Sequence, residues 1–341
     1  MMDTFDLLAI LIKVVAVFAI ILVLIIASII AERRVAGFMQ YRLGPNRVGP
    51  LGFFQPFADA LKFLLKEDII PDQVNRPLYL LAPVITMIPA FMTFAVIPFG
   101  APLEIAGRTV ALQVADLNIG VLYILALTSV GVYGLVLAGW SSGSKYPLLG
   151  GLRSSAQLIS YELAMGLAII GIIMISGGLT LTEIVAHQQA TSWNFWKQPL
   201  AALIFLVAMY AETNRLPFDL TEAEQELVGG YHTEYSSFKF MMFFMSEYSN
   251  MITASAFMVC LFFGGWDIPF VDEAALGNLG VILSVLAFFA KVVGFLFLYI
   301  LVRWTLPRFR YDQLMRLGWK VLLPLGLLNV FVVGLWMAVT A

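Results

Sequence analysis

The sequence predicts an all-α polytopic membrane protein, with eight transmembrane helices and a short amphipathic helix in its first inside loop. Three observations predict it. Of 341 residues, 61% are apolar and only 12% charged, where a soluble domain carries about 25% charge. Surface-to-volume scaling leaves a soluble chain of this size too little interior to hide so much apolar surface. The apolar residues also gather into eight stretches, 7–31, 78–98, 119–140, 157–176, 199–213, 239–264, 278–304 and 320–340. About 20 residues at roughly 1.5 Å each cross a hydrocarbon core of about 30 Å. None of the stretches alternates as barrel strands do.

The first stretch reads as a span rather than a cleaved leader. Asp3 and Asp6 stand where a basic flank belongs, the apolar run is too long, and Glu32, Arg33 and Arg34 end it. The fifth is the weakest, a short run closed by Glu212. Orientation follows from the bases. One set of loops holds 16 of the 20 Lys and Arg residues, the opposite set only Arg108 and Lys197, and Lys13 and Lys291 lie within spans. The positive-inside rule places the basic set in the cytoplasm or its equivalent, with both termini outside.

The whole chain, 1–341, then forms a single membrane domain whose inside loops are its unusual parts. The loops at 32–77, 141–156, 212–238 and 305–319 are long, polar and rich in Gly and Pro, whereas the outside loops are short or bland. Long loops of this kind carry function or dock partners. Residues 52–66 read as the amphipathic helix, because Gln55, Asp59, Lys62 and Lys66 recur at spacings of four, three and four. Such a helix either lies in the interface plane or lines the mouth of a site for an amphipathic ligand. The loop from Glu212 to Glu234 sets six acids (Glu212, Asp219, Glu222, Glu224, Glu226 and Glu234) against one base, Arg215. A solvated acidic loop is the simple reading, but Pro217, Phe218, Leu227, Val228 and Gly229–Gly230 hem the segment in.

Glu162, Glu212 and Glu247 fall within or at the end of three successive spans, and Lys291 within the seventh. A charge at mid-bilayer costs about 2.5–3.5 kcal/mol on insertion scales, so such residues face a bundle interior or a wet cavity. A structural pair with Lys291 and a path for protons or charge both satisfy that requirement. Three acids leading into an acidic loop favour the path.

Several chemistries are not expected. One cysteine, Cys260, supports neither a disulfide framework nor an iron–sulfur cluster from this chain alone. His187 and His232 fall in opposite loops and no span offers a histidine pair, so no haem or metal site is anticipated. No Gly-rich nucleotide motif follows a strand, and a net charge of −2 gives no footing for nucleic acid. Any redox electrons come from another protein.

The inside loops carry a resemblance. GFFQPFADALKFLLKE at 52–67 and RLPFDLTEAEQELVGG at 215–230 are similar to two signature segments of a known family, the quinone-module membrane subunits of NADH-quinone oxidoreductase, the respiratory complex I. ERRVAGFMQYRLGPNRVGP at 32–50, SSGSKYPLLGGLRSSAQLISYE at 141–162 and PRFRYDQLMRLGWK at 307–320 resemble further family segments in the same order. The resemblance implies an eight-helix subunit where the membrane arm meets the hydrophilic arm, forming most of the quinone tunnel. It places Arg33, Arg42 and Arg303 along the chamber, and Gln55, Asp59 and Lys62 on the entrance helix. Asp219, Glu222, Glu224, Glu226 and Glu234 belong to the acidic loop beneath it, and Glu162, Glu212 and Glu247 begin a relay toward the antiporter-like subunits.

In this reading the chain has no catalytic residue of its own and holds no cofactor. Quinone is the substrate. NADH, FMN and the iron–sulfur clusters reside in peripheral-arm partners, which also supply the quinone headgroup ligands. The location implied is the bacterial inner membrane, with the mitochondrial inner membrane as the alternative. A membrane subunit of an energy-converting hydrogenase-type complex, with another electron donor, is the nearest rival. A stand-alone secondary ion transporter is the rival from a different class.

Overall fold

The computed structural model describes residues 4–105, 107–220, 227–269 and 277–340. Glu222, Glu224 and Glu226 lie outside the described residues.

Helix α1, Thr4–Met39, is apolar all round. Its buried positions nevertheless run at helical spacing, Val17, Ile21, Ile25, Ser28, Glu32 and Ala36, so one face is set against the bundle and carries Glu32 inward. The chain then turns through Pro50–Gly52 into α2, Gln55–Leu65, the amphipathic helix expected over 52–66. Its Phe57, Leu61, Leu64 and Leu65 are exposed.

Helix α3, Arg76–Met92, packs against α4, Gly120–Ser141, closely enough that a Cβ on Gly134 would meet the backbone of Thr86 and Ala82. Pro83 lies inside α3, and having no N–H it leaves the Tyr79 carbonyl unfilled. The Tyr235 hydroxyl donates to that carbonyl at 3.2 Å. Helix α5, Lys145–Ser176, runs on from the basic-face loop. The backbone of Gly230–Tyr231 approaches its Gly150 too closely for any side chain there.

Beyond α5 the opposite face is more structured than its sequence implied. It carries α6, Leu181–Ala190, and α7, Asn194–Lys197. A small antiparallel hairpin, Leu103–Ile105 with Arg108–Val110, joins α3 to α4 and is too short to alter the all-α class. Buried amides hold this face to the bundle. Gln188 Nε2 donates to the Cys260 carbonyl at 2.8 Å and Asn194 Nδ2 to the Leu261 carbonyl at 2.9 Å. They cap the end of α9, Ser237–Phe262, where intrahelical donors have run out.

Helix α8, Pro199–Glu212, precedes the acidic loop. Helix α10, Asn278–Thr305, follows α9, and the chain ends with α11, Tyr311–Arg316, a π turn over Leu317–Leu322, and α12, Leu323–Thr340.

Among the described residues, six helices are long and apolar enough to cross a membrane: α1, α3, α4, α5, α10 and the run from α11 through α12. The other two expected spans differ for separate reasons. Helix α8 has 14 residues, about 21 Å of rise against a core of roughly 30 Å. Helix α9 has 26 residues, but its sequence holds Lys239, Glu247 and a series of Ser and Thr, so it is less apolar than a lipid-facing span. It is a core helix. Ser246 and Ser249 donate to the Thr86 and Ala90 carbonyls of α3, both at 2.9 Å, and most of its side chains are buried.

Candidate functional site

A cavity of about 620 Å³ opens where α1, α9, α10 and the loop after α8 converge on the basic face. That volume falls within the roughly 300–1,000 Å³ of small-molecule sites. Its wall is charged, and the charges answer one another. Arg215, only 6% exposed, lies between Glu32 of α1, 3.4 Å from Nη1, and Glu247 of α9, 2.5 Å from Nε. Its guanidinium stacks over the Tyr248 ring, 4.4 Å from the centroid. Tyr248 Oη donates to Glu32 Oε2 at 2.6 Å, and Arg303 of α10 pairs with the other Glu32 oxygen.

Beside them Asp219 Oδ2 accepts from Arg308 Nη2 at 3.0 Å. Three carboxylates therefore meet three guanidiniums, which is what charges this deep require. Burial opposes the charge on Arg215, but Glu247, Tyr248 and Glu32 outweigh it and hold the guanidinium well above its usual range. Burial pushes the Asp219 carboxyl up against the pull of Arg308, Arg303 and Arg215. Arg215 Nη2 and Asp219 Oδ1 are buried without a protein partner. A buried donor and acceptor left open at a cavity have capacity for a polar ligand or water.

Helix α2 is tied to this wall. Arg33, which lines the cavity, pairs with Asp59 at 2.6 Å, and Gln55 Nε2 donates to the other Asp59 oxygen at 3.1 Å. Arg42 lines the rim and donates from Nε to Gln40 at 2.8 Å. Lys62 lies on α2 and does not line the cavity.

Glu247 also borders a second, smaller cavity of about 40 Å³, shared with Glu212, Tyr231 and Asn250. Glu212 borders a third, of about 20 Å³, with Thr128, Asn250 and Thr253. A water needs about 10–15 Å³ of such space and two or more polar partners, so both can hold water. Thr128 borders that cavity beside Glu212, and the Glu162 carboxylate acts on Glu212 electrostatically. Glu162 in turn accepts from Ser129 of α4. The three acids therefore form a spaced series leading from the cavity wall into the bundle.

The remaining expected residues fall elsewhere. Glu234 does not line the main cavity; its backbone carbonyl accepts from Tyr79 at 2.6 Å. Lys291 donates to the Phe263, Gly265 and Asp267 carbonyls at 2.8, 3.0 and 2.6 Å. Sequence reasoning missed Glu32, Arg215, Tyr248 and Arg308 as site residues. Arg215 had a signal, as the lone base among six acids, and so had Glu32, an acid at the end of an apolar span. Among the described residues no group of three His, Cys, Asp or Glu could hold a metal ion.

A family model described as NADH dehydrogenase matches residues 12–334. Curated relatives match at nearly full length. The first of the H subunits of NADH-quinone oxidoreductase in Cytophaga hutchinsonii is 52% identical over 322 residues, 94% of each chain. Its namesake in Geobacter sulfurreducens is 53% identical over 335 residues, 95% of this chain and 93% of its own. NADH-quinone oxidoreductase subunit 8 of Rhodothermus marinus is 54% identical over 329 residues, 92% of this chain and 94% of its own.

Proposed function

The chain belongs to the NADH dehydrogenase family, and from that premise we propose that it is the membrane subunit enclosing the quinone site of a proton-translocating NADH:quinone oxidoreductase. It spans a bacterial plasma membrane eight times, with the short α8 and the less apolar α9 among the crossings and both termini on the outer side. The observation that carries the reading is the Glu32–Arg215–Glu247–Arg303 cluster on the wall of the main cavity. One of its acids, Glu247, also faces the first of two smaller cavities leading to Glu212.

Reduction of a quinone to a quinol takes two electrons and two protons. The electrons come from an iron–sulfur cluster in a peripheral-arm partner, and this chain supplies the enclosure. Negative charge developing in a poorly hydrated cavity acts over longer distances than in water. Arg215 and Arg303 are the cations of the cavity wall that hold Glu32 and Glu247, so drawing them toward the quinone weakens that hold. Glu247 is then left at the cavity wall with less of its counter-charge. Glu212 and Glu162 pass the change laterally to the antiporter-like subunits, and the acidic loop after Asp219 supplies further carboxylates beneath the cavity. Arg33, held by Asp59, keeps α2 against the entrance.

Replacing Glu212 with Gln keeps the shape and removes the ionisable carboxyl. The expected result is an assembled complex that retains inhibitor-sensitive NADH-to-quinone electron transfer but loses most of its proton pumping, read as acidification of sealed vesicles. Undiminished pumping per electron would sink the relay.

A further inference from the structure

Another cavity, of about 390 Å³, lies at the opposite end of the bundle from the quinone site. It is bordered by Ile175 at the end of α5, by His187 and Thr191, by Lys197, and by Trp336, Met337 and Thr340 in the last turns of α12. We propose that this cavity takes a phosphate group, carried by an anionic phospholipid of the leaflet it opens into.

The polar end is built for an anion. Lys197 Nζ donates to Thr191 Oγ1 at 2.6 Å, and that hydroxyl donates to the His187 carbonyl at 2.6 Å, so the ammonium is aimed by a neutral partner. Among the described residues no carboxylate forms an ion pair with Lys197 or His187. Two nitrogen-bearing side chains thus share a cavity without a counter-charge, and each is held back from protonation. Burial and then the charge of Lys197 lower His187, and burial lowers Lys197 itself. A phosphate would relieve both effects. His187 Nδ1 is buried without a hydrogen-bond partner, which leaves Nε2 as the nitrogen that can donate to a ligand. A neutral imidazole and an ammonium then offer donors to separate phosphate oxygens.

The apolar end is built for a lipid rather than for a free ion. Trp336, Val332 and Leu328 recur every four residues along α12, and each is more than half exposed. They form a ladder running from the cavity toward the bilayer centre, where acyl chains would lie. Trp196 is 74% exposed beside Lys197, and exposed tryptophans collect at the headgroup level. Lys197 is also one of only two bases on its face of the chain, Arg108 being the other, so it is not part of a general basic coat. The proposal needs the chain to span a membrane but not the quinone reading. A failure of either leaves the other standing.

The test uses the intact complex in nanodiscs with a diazirine-labelled phosphatidylglycerol, irradiated and mapped by peptide mass spectrometry. Expected is labelling of the α12 peptide around Leu328–Trp336 that falls about fivefold in Lys197→Gln, the worth of one basic residue near an anionic headgroup. It should fall in His187→Gln as well and hold steady in Arg108→Gln. Blue-native gels confirm that each variant is assembled. Labelling that ignores Lys197, or that a choline phospholipid reproduces in every variant, would overturn the site. Equal displacement by millimolar inorganic phosphate would overturn the lipid as its source.

Discussion

Two cations, the buried Arg215 on the basic face and the half-buried Lys291 toward the opposite face, show how differently the two ends of this bundle handle charge. Lys291 donates to three backbone carbonyls at the end of α9 and sits 4.6 Å from the Trp193 ring centroid. Those three carbonyls are fixed dipoles that cannot gain or lose a proton. Arg215 is held by two carboxylates and a tyrosine beside a cavity of about 620 Å³. Its partners are ionisable side chains, and there is room beside them. One arrangement closes a helix end, whereas the other can answer a charge that comes and goes.

Removing each cation separates the two cases most strongly. Arg215→Met leaves Glu32 and Glu247 buried with less compensation, at a cost of about 3–5 kcal/mol for a broken buried pair. Little assembled complex is expected on a native gel, and what assembles should lack quinone reductase activity. Lys291→Met strands the three carbonyls, at about 1–3 kcal/mol. Less complex should assemble, with unchanged activity per complex. Equal losses of activity per assembled complex would erase the distinction.

Acid sharpens it. Burial pushes His232, in the basic-face loop, down to about 4 from its ordinary 6.5. The unfolded chain therefore binds a proton that the folded chain refuses between those values, so stability falls as pH drops from about 6.5 toward 4. A shift of this size amounts to about 3 kcal/mol at the acid end. The melting temperature of the extracted complex should decline over that window, and His232→Gln should flatten the decline. An identical slope in the variant would show that His232 does not govern it.

The smallest effect belongs to α2. Arg33 and Asp59 are substantially exposed, with 46% and 25% of their side-chain surfaces open, so their pair is worth at most about 1 kcal/mol. Asp59→Asn should leave assembly intact and raise the KM for a short-chain quinone by about fivefold or less. A large loss of kcat would mean that Asp59 acts in the chamber rather than at its entrance.

Part of the site was legible before any fold. The amphipathic spacing of Gln55 and Asp59 located α2, and two of the three expected acids, Glu212 and Glu247, border one small cavity, whereas Glu32, Arg215, Tyr248 and Arg308 were not anticipated. The eight apolar stretches all became helices, although only six are long and apolar enough to cross by themselves. Helix α9 shows why counting apolar residues has limits. A helix with most of its side chains buried satisfies its serines against neighbouring carbonyls, so it need not look like one that faces lipid.

Composition and local pattern determined what each segment is, because membrane insertion selects on hydropathy and length, and turn and loop chemistry is read over a few residues. Only the tertiary structure decided which charges are partners. Glu32 and Arg215 stand 183 residues apart in the chain, and Glu32 and Arg303 271. No local propensity records such a meeting. It exists because α1 turns one stripe of an otherwise uniform apolar helix inward, and a buried charge is tolerated only where the opposite charge arrives with it.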